Sequence, residues 1–205
     1  MSRPPATHAC EASPVLAAGA QAMSSQEVVG RPLPRVALQS ADGCVGLGEL
    51  ADAHDLVIYL YPGSEQSPIG EDVPRIDGIL HRAFRAKARA LLALGFPVLG
   101  ISSQQVKAQR RVVANNRLEH QMLSDPHLLL AKDLALQTFA TGHGCWYKRI
   151  TLVVQDGRIA WVQFPVREPS RAPAQAIAWI CTHDTNMISG RMDGWSGRDL
   201  TDRLV

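Results

Sequence analysis

Long apolar runs are missing from this chain. No stretch approaches the roughly 18–20 residues of a membrane-spanning helix, so neither an integral membrane protein nor a membrane partner is expected. Cysteine is scarce, with four residues at positions 10, 44, 145 and 181. They are too few and too scattered for a disulfide-stapled scaffold. Acid is missing from residues 78–117, which carry 8 bases, although the formal net charge is only +2. The basic charge therefore sits in one stretch. Its two aromatics, Phe84 and Phe96, form no repeating pattern with the bases and no nucleic-acid-binding motif accompanies it, so a pair of solvated helix faces is the simplest reading, and no nucleic-acid partner is expected. What the chain does have is 46% hydrophobic residues over 205 positions, enough for one sizeable core.

The two ends differ from the middle. Residues 1–28, rich in Ala, Ser and Pro, read as a flexible tail. His8 and Glu11 interrupt any signal-peptide core, and a cytoplasmic location is expected. Residues 184–205 read as a C-terminal extension. Between them, residues 29–183 read as one domain of alternating strands and helices.

Leu33 to Gln39 reads as a strand, closed by the turn signal Ser40-Ala41-Asp42-Gly43, and Leu47 to Ala53 as a short helix. The apolar run LVIYLY after Asp55 has the pattern of a strand buried on both faces, stopped by Pro62. Asp77 to Leu94 has helical spacing, with Leu80, Phe84, Ala88 and Leu91 on one side, and Gly95 as its stop. FPVLGIS is a second buried strand, Ser103 to Asn115 a polar helix, and His120 to Leu123 a short strand. Ser124-Asp125-Pro126 opens a helix to about Leu136, with Ser124 or Asp125 as cap and Pro126 in first position. ITLVVQ and RIAWVQF form a hairpin about Asp156-Gly157, and Pro173 to Cys181 is a closing helix with Cys181 packed inward. The fold class is α/β, a central mixed sheet flanked by helices in three layers.

Several strings in this order resemble the peroxiredoxin family. They are VVGRPLPRVALQSADG, LVIYLYPGS, GFPVLGISSQ, HQMLSDPHLLLAKDLAL and YKRITLVVQDGRIAWVQFPV, spread over about residues 28–182. The resemblance implies a thioredoxin-like fold and an active-site pocket built on Pro62 and Arg149. It also implies peroxide as substrate and frequent homodimers. The family places its nucleophilic cysteine in Pro-x-x-x-Thr-x-x-Cys. Counting from Pro62 puts Gln66 at the threonine position and Ile69 at the cysteine position; counting back from the helix string HRAFR puts the cysteine position at Asp77 or a neighbour instead, with an insertion of several residues in the loop; and there is no cysteine between Cys44 and Cys145.

Asp77, at the expected start of a helix, is open to two readings. It is an ordinary first-turn acid, or a carboxylate that pairs with Arg149 as the thiolate does in the family. Ser64, Gln66 and Ile69 fall in the loop beside Pro62, either lining a pocket or simply solvated. Cys145, four residues before Arg149, is either a structural cysteine or a displaced redox thiol favoured by Arg149, Lys148 or His143. Three functions stay open: ligand binding or non-peroxidase chemistry in the former pocket, thiol-dependent peroxide reduction at Cys145, or a non-catalytic interaction role. Whether the chain is an enzyme stays open with them. No cofactor or metal is expected.

Overall fold

The structure, a computed structural model, describes residues 25–63, 72–141 and 144–183. A turn of helix, α1 (Ser25–Val28), leads into the hairpin β1 (Ala37–Gln39) and β2 (Cys44–Gly46). Then follow α2 (Leu47–Ala53), β3 (Leu56–Leu60), α3 (Asp72–Ala93), β4 (Val98–Ser102), α4 (Val106–Asn116), β5 (Gln121–Ser124) and α5 (Leu129–Leu134). A small hairpin, β6 (Thr138–Thr141) and β7 (Gly144–Tyr147), precedes β8 (Ile150–Gln155), β9 (Arg158–Gln163) and α6 (Ala172–His183).

Seven strands make one mixed sheet in the order β2-β1-β5-β4-β3-β8-β9. Strands β3, β4 and β5 run parallel, and β8 runs antiparallel to β3 with Leu60 opposite Ile150. All five residues of β3 and all five of β4 are buried, as their unbroken apolar character requires of strands covered on both faces.

Alternation divides the core in two. Leu56, Ile58 and Leu60 face α2 and α5, together with Leu99, Ile101, Leu123, Leu152 and Val154. Val57, Tyr59 and Tyr61 face α3, α4 and α6, where Leu80, Phe84, Leu91, Val112, Ala176 and Ile180 pack. Each large aliphatic side chain buried this way contributes about 1.5–3 kcal/mol.

The α/β class and the order of the main elements agree with the expectation from sequence. Four details differ. Val28 is in the core, so the packed part of the chain begins before residue 29. Helix α3 starts at Asp72 and not at Asp77. Pro126 lies outside α5, which begins at Leu129, yet Asp125 does cap it: its carboxylate accepts the Leu129 and Leu130 amides at 2.9 and 3.0 Å. Cys181 is exposed, because α6 turns Ile180 inward instead. Among the described residues, no helix is long and apolar enough to cross a membrane.

Candidate functional site at the end of strand β3

Strand register brings the site together. Because Leu60 pairs with Ile150, the residue before β8 lies beside the residues after β3. Arg149 thus sits next to Tyr61, Pro62 and Gly63, all three buried. Helix α3 follows from the same end and lays its second turn over them.

Asp77 is that helix's sixth residue, and it is fully buried. Oδ1 accepts Arg149 Nε at 2.7 Å and forms the ion pair with Nη2 at 2.6 Å. Its Oδ2 accepts the Gly63 N–H at 3.2 Å. Arg149 Nη2 also donates to the Val73 carbonyl at 3.3 Å, which ties it to the first turn of α3. Gly63 is glycine for two reasons: its φ is +112°, and a Cβ there would stand 2.4 Å from Gln104 Cγ.

The reading of Asp77 as an ordinary first-turn acid is therefore overturned. The helix starts five residues earlier, and the carboxylate faces inward onto Arg149. Burial raises the Asp77 pKa to about 6, against the opposing pull of the Arg149 guanidinium and the Gly63 amide.

A chain of buried polar groups continues from Asp77. His81, four residues on along the same helix face, is fully buried, and its ring meets that of Tyr61 edge-on at 4.6 Å. The Tyr59 hydroxyl lies 3.1 Å from His81 Nδ1, 2.9 Å from His120 Nε2 and 3.3 Å from Met122 Sδ. Tyr59 stacks on Phe84 at 4.3 Å, and Gly100 leaves room for its ring. Burial lowers both imidazole pKa values, His81 to about 3 and His120 to about 4, and raises that of the Tyr59 phenol. All three are neutral near pH 7.

A hydroxyl carries one proton, so Tyr59 can donate to only one of these three groups; where that group is an imidazole, the other imidazole donates to it. Hydrogen-bonded in this way, the rings share one tautomer, both N–H on Nε2 or both on Nδ1. The outer nitrogens, His81 Nε2 and His120 Nδ1, are buried without a partner among the described residues. Sequence reasoning missed this group. The signal was Tyr59 and Tyr61 at a spacing of two, which places both on one strand face, and His81 on the apolar side of a helix.

Cys145 is elsewhere. It is exposed on β7, opposite Ala140. Arg149 is turned to Asp77, and Lys148 reaches Gln137 Oε1 at 3.4 Å. His143, Ser64, Gln66 and Ile69 lie outside the described residues. The structure thus joins Pro62, Asp77 and Arg149 in one place, and among the described residues Cys145 makes no hydrogen bond or ion pair with that group.

No family model matches the chain, and no curated protein does. Solved structures do. The peroxidoxin BcpB of Mycobacterium tuberculosis superposes with a TM-score of 0.64 at 18% identity, covering 76% of this chain and 97% of that one. The fold is that of the peroxiredoxins. Reduced Prx3 of Vibrio vulnificus in complex with hydrogen peroxide gives 0.62 at 19% identity, over 76% and 96% of the two chains. Peroxiredoxin Q of Xanthomonas campestris gives 0.62 at 18%, over 76% and 98%.

Proposed function

We propose that this protein is a peroxiredoxin-fold protein whose site works with a carboxylate in place of a thiolate. In this reading it does not reduce peroxide at that site. One observation carries it: Asp77 takes the donors of Arg149, which the family resemblance assigns to a thiolate, and accepts the Gly63 amide besides. A small ligand would enter beside Pro62, with Ser64, Gln66 and Ile69 as its further lining. A buried carboxyl that titrates near 6 can exchange a proton with such a ligand close to neutral pH. We expect a cytoplasmic protein, and a homodimer by analogy with the fold's other members.

A second reading draws on the exposure of Cys145. Its thiolate would attack the O–O bond of a peroxide, giving a sulfenic acid and releasing water or an alcohol, and an external thiol would restore it. Hydrogen peroxide consumption in the presence of a thiol reductant separates the two. The carboxylate reading expects no turnover above background. It also expects that small molecules which raise the unfolding temperature of the wild type fail to raise that of Arg149→Ala. Turnover that disappears in Cys145→Ser would replace the first reading with the second.

A further inference from the structure

Next to this site lies a cavity of about 420 Å³ at the start of α4, lined by Ser103, Gln104, Gln105, Lys107, Arg111 and Trp146. Helix α4 has 11 residues, no acid in its first turn and no side-chain cap from Gln105. The Ala108 and Gln109 amides bond back to the Gln105 carbonyl. The Val106 and Lys107 amides have no acceptor among the described residues, so the helix end presents free N–H groups and its positive dipole end.

Lys107 and Arg111, four residues apart on one helix face, are exposed and have no ion-pair partner among the described residues. They differ in this from Arg89, which pairs with Glu119, and from Arg85 and Arg110, which bond backbone carbonyls. Gln104 lines the cavity at 8% exposure, and its Oε1 has no hydrogen-bond partner among the described residues; neither does the Ser103 hydroxyl. Trp146 lines the cavity with its indole N–H bonded to Thr141 Oγ1 at 3.1 Å.

We propose that this cavity binds a small oxyanion that also carries an O–H group, the chemistry of hydrogen phosphate, of a phosphate ester with a free hydroxyl, or of a hydroxy acid. Lys107, Arg111 and the helix amides meet the negative oxygens. The O–H donates to Gln104 Oε1, which needs a donor, while the Ser103 hydroxyl can donate to the anion. Trp146 offers an apolar surface to the rest of the ligand. The site is separate from the Asp77–Arg149 pair and does not depend on the role given to that pair. The two are neighbours, because the Gln104 side chain lies against Gly63.

The test is calorimetric titration of the intact protein with inorganic phosphate at fixed ionic strength. Saturable binding is expected. The double variant Lys107→Ala, Arg111→Ala is expected to weaken it roughly tenfold or more, as loss of charge-assisted contacts does. Lys87→Ala, elsewhere on the basic face, is expected to change it by less than about twofold. Sulfate, an oxyanion without an O–H, is expected to bind more weakly than phosphate. Glycerol phosphate and glycolate then tell a phosphate ester from a hydroxy acid as the preferred source of this chemistry. Binding that the double variant leaves unchanged, or that Lys87→Ala weakens equally, would overturn the proposal. Equal binding of sulfate and phosphate would overturn the part assigned to Gln104.

Discussion

The two faces of the central sheet treat buried polarity differently. On the face covered by α2 and α5, the one buried carboxylate beside a tyrosine is fully engaged. Asp125 Oδ1 and Oδ2 accept two helix amides, and Oδ2 also accepts the Tyr147 hydroxyl at 2.6 Å. On the face covered by α3, α4 and α6, buried groups lack partners: His81 Nε2 and His120 Nδ1 have none among the described residues. Buried polar groups without partners cost stability, about 1–3 kcal/mol each, and native proteins keep few of them. The first face therefore reads as packing and the second as function. The same contrast holds for the acids: Asp125 holds a loop onto a helix, whereas Asp77 sits against a cation at the rim of the sheet.

The largest effect that could break this contrast comes from Arg149→Met. It leaves the Asp77 carboxylate buried without its cation and is expected to cost about 3–5 kcal/mol at pH 7, measured by denaturant unfolding. A loss under about 1 kcal/mol would mean that Asp77 is already neutral or solvated. Next comes Tyr147→Phe, which removes a hydroxyl bonded to a charged group and is expected to cost about 1.5–3 kcal/mol.

Tyr59→Phe keeps the stack on Phe84 and is expected to cost about 1–2 kcal/mol. Its sharper readout is nitrogen NMR of His81 and His120. The wild-type rings are expected to share a tautomer, and the variant to lose that coupling. Rings that differ in the wild type, Nδ1–H on His81 and Nε2–H on His120, would place the Tyr59 proton on Met122 instead.

The pH dependence of stability follows from the same face. Both histidines are depressed in the folded protein, so each stabilises above its unfolded value of 6.5 and loses that contribution as pH falls toward about 4 and about 3. Asp77 is raised, so it acts in the opposite sense: its contribution is greatest at low pH and falls as pH rises from 3.8 to about 6. Between pH 4 and 6 the unfolded chain thus binds about one more proton net, from two histidines against one aspartate. Stability is expected to fall by about 1.4 kcal/mol per unit of acidification. Asp77→Asn is expected to steepen that slope toward two protons. The smallest effect is that of Cys145→Ser, an exposed change expected to stay within about 0.5 kcal/mol.

Much of this could be read in the chain beforehand, and for identifiable reasons. Helix α2 was legible at both ends, and β3 and β4 announced themselves as unbroken apolar runs. Arg149 and Pro62 were legible through the strings around them. The start of α3 was not: its first turn carries Asp72 and Pro74 amid loop-like residues, so the apolar period becomes visible only from Leu80. That misplacement made Asp77 look like a surface acid. The small hairpin β6–β7 escaped notice because four residues a side, with glycine at the turn, carry too little pattern. The polar cluster escaped because a buried Tyr or His looks like core in a sequence, and only its partners reveal otherwise.

The central claim is that Asp77 is a buried carboxylate held by Arg149 where the family's resemblance places a thiolate. It is tested most directly by titrating the Asp77 side-chain carbon by NMR in the wild type and in Arg149→Met. The account predicts a midpoint near 6 in the wild type and a clearly higher one once the cation is gone. A midpoint at or below 3.8 that ignores Arg149→Met would contradict it.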